Sequence, residues 1–164
     1  MAGLPATGKT TIARALARDI GAVHLRLDTI EQAIVDSGLA RRPVGPVGYL
    51  VGYALAGDHL RQGLTVIADT VNPVAATRHA WRGVARSAGV GHVDVEVVCS
   101  DPAEHERRAT SRSGDIPGLV PPTWADITAR EYEPWDRARV VIDTATGDLT
   151  TWVAYLRMKL SIAA

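Results

Sequence analysis

The residues best suited to chemistry stand at the head of the chain, in the stretch MAGLPATGKTT. Gly3, Gly8, Lys9 and Thr10 fit the spacing G-x-x-x-x-G-K-[ST]. Such a turn aims successive backbone N–H groups at a polyphosphate, while the lysine reaches its terminal phosphates. Gly3, Ala6, Thr7, Gly8, Lys9, Thr10 and Thr11 are therefore the expected cradle of a nucleoside triphosphate. Thr10 supplies a hydroxyl for Mg²⁺, and a helix starting near Lys9 adds the positive end of its dipole beneath the phosphates.

Three further carboxylates, Asp28, Asp69 and Asp143, each close an apparent strand. In an open parallel sheet those positions rim the crevice beyond the strands' carboxyl ends, where ligands bind. Asp69 ends the most apolar internal strand, LTVIAD, which suits a carboxylate that orients Mg²⁺; the alternative is a turn cap with Thr70 and Asn72. Asp28 is the candidate base for a substrate hydroxyl, or else the N-cap of the next helix. Arg26, on the same polar face, suits an anionic or polar substrate. In EHERRATSR, Arg108 and Arg112 are spaced i, i+4 on one helical face, before a Gly/Pro loop. That is the edge of a lid able to close over a transferring phosphate, or alternatively a solvated face paired with Glu104 and Glu106. His24, His59, His79, His92 and His105 show no metal-ligand spacing, and the five read as structural or exposed.

The elements that must position these groups follow from periodicity. TTIARALARDIG carries Ile12, Leu16 and Ile20 at helical spacing and stops at Gly21. AVHLRLD alternates, with Val23, Leu25 and Leu27 opposite His24, Arg26 and Asp28, as in a strand with one polar side. Helices are predicted in TIEQAIVDSG, YLVGYALAGDHLRQG, the segment carrying Trp81 and Val84, and the segment that Asp101 caps and Pro102 begins. Further strands are predicted at HVDVEVVCS and RARVVIDTA. Thr123 and Asp126 approximate a capping box, and DLTTWVAYLRMKL turns Leu149, Trp152, Val153, Leu156 and Leu160 toward the core. LARRPVGPVG and SGDIPGLVPP are Gly/Pro-rich connections. Strands alternating with helices predict an α/β fold with a central parallel sheet, in a single domain over residues 1–164 with a lid region at about 104–122. A phosphate loop normally follows a buried strand, and Met1 and Ala2 leave almost no room for one. The first strand is accordingly expected to be truncated, at the centre of the sheet.

Composition limits the partners. The 164 residues are 46% hydrophobic, enough for one real core. Formal net charge is zero, which argues against long nucleic acids and anionic membranes as partners. Cys99 is the single cysteine, so an internal disulfide and a multi-cysteine metal site are excluded; its apolar run reads as a structural thiol. With no apolar run near the ~18 residues of a membrane span and no signal-peptide pattern, a cytoplasmic protein is expected. Tyr49, Tyr53, Trp124 and Trp135 read as pocket lining or as core.

Taken together, GLPATGKTT, HLRLD, VIADTVNP, ERRATSR and YEPWDRARVVIDTA resemble the small kinases of the P-loop superfamily, a group often labelled AAA-family ATPases. The resemblance covers nearly the whole chain, and it is similar at greater distance to chloramphenicol phosphotransferase, zeta toxins and the kinase domain of polynucleotide kinase. It implies a P-loop NTPase three-layer sandwich that uses ATP and Mg²⁺ to phosphorylate a hydroxyl of a small molecule or nucleotide-like acceptor. By the same likeness Asp28 matches the base, Arg108 and Arg112 match lid arginines, DTVN from Asp69 matches a D-x-T-N-type segment followed by Arg78, and Thr144 with Ala145 borders the adenine. Thr29 to Gln32 lack the arginine of the zeta-toxin D-x-x-R pattern, and no apolar strand ends in paired Asp-Glu as in a ring ATPase. The competing expectation is an NTP-binding switch that hydrolyses ATP slowly.

Overall fold

The computed structural model describes residues 1–163. Its elements, in chain order, are α1 (Lys9–Ile20), β1 (Val23–Arg26), α2 (Leu27–Asp36), α3 (Val47–Arg61), β2 (Val66–Asp69), α4 (Ala75–Ser87), β3 (Val95–Val98), α5 (Pro102–Ser111), α6 (Trp124–Thr128), β4 (Val140–Asp143) and α7 (Leu149–Ala163). β1 pairs with β2 and β3 with β4, both parallel, so every strand connection crosses over through helix.

What joins the two pairs is the start of the chain. Ala2 N–H donates to Val95 O and Val97 N–H donates to Ala2 O, each at 2.8 Å. On the other side the Met1 amino group donates to Ala68 O at 2.6 Å, and Thr70 N–H to Met1 O at 3.3 Å. Between the two pairs Ala2 forms a single parallel bridge with Glu96. A cavity of about 720 Å³ continues the same slot, walled by Met1, Val66, Ile67, Val93 and Val95 and closed by Leu156.

The main core packs α1 and α7 against the sheet. Ile12, Leu16, Ile67, Val97, Ile142 and Leu156 are buried together, with Leu149, Trp152, Val153 and Leu160 around them, so the apolar stripe expected on the last helix faces inward. Each such side chain removed from water contributes about 1.5–3 kcal/mol. α3 packs on β1 and β2 and also touches α2 and α4.

Two boundaries differ from the sequence reading. β1 ends at Arg26 and α2 begins at Leu27, whose side chain turns into the core at 2% exposure. Asp28 therefore lies in the first turn of a helix and does not close a strand; it is not the N-cap either, since Arg26 holds that position. A carboxylate in the first turn is favoured by the helix dipole. α5 stops at Ser111, and Arg112 has extended backbone, so Arg108 and Arg112 do not share a helical face. After Ala109 no apolar side chain holds another turn to the core, and Gly114 follows. The start of α5 and the capping box of α6 are as predicted: Asp101 accepts from Ala103 N and Glu104 N, and Thr123 and Asp126 bond reciprocally.

Candidate functional site

The loop from Gly3 to Gly8 turns between the bridge residues and α1, and two glycines make the turn possible. Gly3 sits at φ 148°, where a Cβ would fall 2.3 Å from Val97 O. Gly8, at φ 93°, is the N-cap of α1. The loop's carbonyls are held from behind. His105 Nε2 donates to Pro5 O at 2.8 Å, the Thr144 hydroxyl donates to Thr7 O at 2.8 Å, and Thr7 Oγ1 donates to Leu4 O at 2.9 Å. With the carbonyls spent, the N–H groups of Ala6 and of Gly8 to Thr11 have no backbone acceptor among the described residues. Unpaired N–H groups around a helix start are an anion receptor.

These residues form one wall of a cavity of about 610 Å³. Ala6, Gly8, Lys9, Thr10 and Thr11 line it, whereas Gly3, Thr7 and Thr144 stand behind the loop and shape it. Thr144 also accepts from Arg108 Nη1 at 2.8 Å. Lys9 is buried at 7% exposure, and no carboxylate lies within salt-bridge distance of it among the described residues. Burial pushes its ammonium below the usual lysine range, against the pull of Asp69 and Asp28.

Asp69 lies at the end of β2, 2% exposed. Its Oδ2 accepts from His24 Nε2 at 3.1 Å, while Oδ1 is buried without a hydrogen-bond partner among the described residues. Burial opposes its ionisation, but the His24 hydrogen bond, the Lys9 charge and the Thr10 hydroxyl beside it outweigh that and hold the carboxyl below its usual range. An orphaned, ionised carboxylate oxygen next to Thr10 fits a hydrated divalent cation, which needs few protein ligands when phosphate oxygens and water complete its shell. No cluster of three or more His, Cys, Asp or Glu occurs among the described residues, which suits that mode and not an all-protein metal cage.

The same cavity is lined by Arg26, Asp28, Glu31 and Tyr49. The Tyr49 hydroxyl accepts from Thr70 Oγ1 at 2.8 Å and from Asn72 N at 3.2 Å, which ties α3 to the segment after β2. Asp28 is half-exposed and stands 3.7 Å from Arg26. Arg108 and Arg112 line the same cavity in spite of their separate backbone settings. Arg108 is fixed by Glu104 at 2.7 Å and by Thr144 O at 2.9 Å, and Glu104 also pairs with Arg107, so part of the paired-face alternative is realised as well. Hydrogen bonds from Arg107 and Arg108 hold the Glu104 carboxyl down at about 2.

Asp143 does not reach this cavity. Its Oδ1 accepts from Ser100 N and Ala145 N, each at 3.0 Å, and so ties the end of β4 to the end of β3. Of the four aromatic residues singled out, Tyr49 lines the cavity; Tyr53 packs on Trp81, Trp124 on His105, and Trp135 under Arg78. Cys99 is half-buried. The spacing of the histidines marks His24 and His105 only as structural or exposed, and the structure gives both a place in the site's framework. The alternation of AVHLRLD carries the signal for His24, because it puts that residue on the face that Arg26 shares with Asp69 in register.

Comparison with known proteins agrees with this geometry. Residues 1–130 match the family AAA_33, described as an AAA domain. A search of curated proteins gives no match. Among solved structures, a candidate kinase from Chloroflexus aurantiacus is similar at TM-score 0.75 and 22% identity, over 98% of this chain and 93% of that one. APS kinase CysC from Mycobacterium tuberculosis, solved with AMPPNP and APS, is similar at TM-score 0.73 and 18% identity, over 98% and 94%. Kti12 from Chaetomium thermophilum, solved with ADP-AlF3, is similar at TM-score 0.71 and 20% identity, over 99% and 96%. At these identities the likeness establishes a P-loop NTPase-like α/β fold.

Proposed function

This chain belongs to the AAA domain family, and from that premise we propose that it is a Mg²⁺-ATP-dependent kinase that phosphorylates a hydroxyl of a small or nucleotide-like acceptor. The observation that carries the reading is that one cavity is lined by both an anion receptor and a carboxylate. Among the described residues, the N–H groups of Ala6 and Gly8–Thr11 have no backbone acceptor and the buried Lys9 has no carboxylate within salt-bridge distance, and Asp28 lines the same cavity. A cavity of about 610 Å³ is within the ordinary range for small-molecule sites. The resemblance to small P-loop kinases and the kinase neighbours support the same reading.

Each residue has a role that follows from its place. The loop amides and Lys9 bind the β and γ phosphates of ATP and hold the transferring group in line. Thr10 and Asp69 would hold Mg²⁺, which when bound neutralises charge on the phosphates. Asp28 orients the acceptor hydroxyl and takes its proton as the oxygen attacks. Arg112 and the fixed Arg108 present positive charge where negative charge gathers on the transferring group. Thr144 positions the loop from behind and mounts Arg108.

The test is acceptor-dependent transfer. Incubated with Mg²⁺-ATP and a pooled metabolite extract, the protein is expected to yield phosphorylated molecules by mass spectrometry, and Lys9→Ala is expected to yield none. ADP and phosphate alone, whatever the extract contains, would instead identify a nucleotide switch.

A further inference from the structure

The loop between α5 and α6 sends one carboxylate back into the cavity. Asp115 Oδ2 accepts from Arg26 Nη1 at 2.8 Å and from Arg14 Nη2 at 2.5 Å, joining residues from α1, β1 and the lid. Arg26 is the unusual member. Its side chain is 8% exposed, and its Nε is buried with no hydrogen-bond partner among the described residues. A guanidinium sunk this deep needs a counter-charge, and the closest one comes from a Gly/Pro-rich loop and not from the core. The two arginines hold Asp115 far below the usual carboxylate range, so it is an anion at any ordinary pH.

The surroundings are cationic. Seven Lys and Arg side chains line the cavity against three carboxylates, although the chain as a whole is neutral. Lys9, Arg108 and Arg112 belong with the phosphate loop. Arg26 pairs in register with Asp69 and stands 3.7 Å from Asp28, where the proposed function puts the acceptor hydroxyl.

Resting on that kinase reading, we propose that Asp115 is an internal stand-in for an anionic group of the acceptor. A hydroxyl-bearing molecule with a carboxylate, phosphate or sulfate displaces Asp115, places its oxyanion on Arg26 and Arg14, and leaves its hydroxyl beside Asp28. Paired guanidinium groups recognise an oxyanion by the same charge-assisted hydrogen bonds that now hold Asp115.

Sulfate titration by calorimetry tests this, with every variant loaded with Mg²⁺-AMPPNP at low ionic strength. Asp115→Asn is expected to bind sulfate about tenfold tighter than the wild type, because the internal competitor has lost its charge. Arg26→Gln added to Asp115→Asn is expected to abolish the gain. Arg14→Gln added to Asp115→Asn, which changes a half-exposed residue, is expected to reduce it and keeps the test open if the Arg26 variant does not fold. Equal sulfate affinity in the wild type and Asp115→Asn, or a gain that survives the added substitutions, would make Asp115 a lid strut only and overturn the proposal. Any sulfate on the phosphate loop is common to all variants and cancels in the comparison. The kinase reading fails separately, through the absence of any Lys9-dependent phosphorylated product.

Discussion

Lys9 illustrates how a single residue can be placed for a ligand at a cost to the empty protein. Burial disfavours the charged ammonium and pushes it below the usual lysine range in spite of Asp69 and Asp28, and a phosphate beside it would offset that cost. The sign follows from linkage. Between the lowered folded pKa and the ordinary value of 10.5, the unfolded chain holds the proton more tightly, so Lys9 makes the stability of the empty protein rise with pH across that window. Lys9→Met is expected to remove this rise and to increase stability at neutral pH by about 1 kcal/mol or more, while abolishing nucleotide binding. Urea unfolding from neutral to alkaline pH, with and without ATP, checks both. Asp28→Asn carries the complementary prediction: transfer falls by about 10² to 10⁴ while ATP affinity, read by equilibrium titration, is unchanged. Gly3→Ala should also abolish binding, because its Cβ would collide with Val97 O and force the loop off the bridge residues.

At the scale of elements, Arg78 governs how the site's walls are joined. It is fully buried in α4 and donates to Asn72 O at 3.0 Å, Pro73 O at 2.9 Å, Glu133 O at 2.7 Å and Pro134 O at 3.0 Å. Trp135 lies under its guanidinium, 4.4 Å away at the ring centroid. The segment after β2 is thereby fastened to the approach to β4. Arg78→Met leaves several carbonyls buried without donors, each costing about 1–3 kcal/mol, and a loss of about 3 kcal/mol or more is expected in chemical denaturation. Arg78→Lys is expected to recover little, because a point-like ammonium cannot reach four carbonyls around a plane. The sequence placed Arg78 on the right helix but gave no sign of this role, since its partners are main-chain carbonyls that any residues could supply. The phosphate loop, by contrast, was legible because its chemistry requires particular residues at fixed spacing. Thr123 with Asp126 and Asp101 with Pro102 were legible for the same reason: caps are local. The boundaries at Leu27 and Ser111 were not, because they depend on where a side chain meets the core. Arg14 and Asp115 escaped notice because their pairing spans 101 residues of sequence.

For the whole molecule, alternating strands and helices were enough to give the α/β class and the parallel sheet. The joint between the two strand pairs is narrow: Met1 and Ala2 carry hydrogen bonds from Ala68 and Thr70 on one side to Val95 and Val97 on the other, and Gly3 N–H donates to Val71 O. Ala2→Pro removes the donor to Val95 O at this joint and is expected to lower stability by about 3 kcal/mol, with hydrogen exchange at Val97 accelerating in parallel. No described helix is long and apolar enough to cross a membrane. The charge of the molecule is organised locally: in a neutral chain, seven of the 18 Lys and Arg residues line one cavity. That concentration, the free loop amides and Asp28 all serve one central claim, that the cavity moves phosphate from ATP to an acceptor. The most direct measurement is transfer of ³²P from γ-labelled ATP into an acceptor pool, with wild type, Lys9→Ala and Asp28→Asn side by side. The account predicts labelled acceptor with the wild type, none with Lys9→Ala and little with Asp28→Asn; label recovered only as inorganic phosphate, or equal transfer by all three proteins, would contradict it.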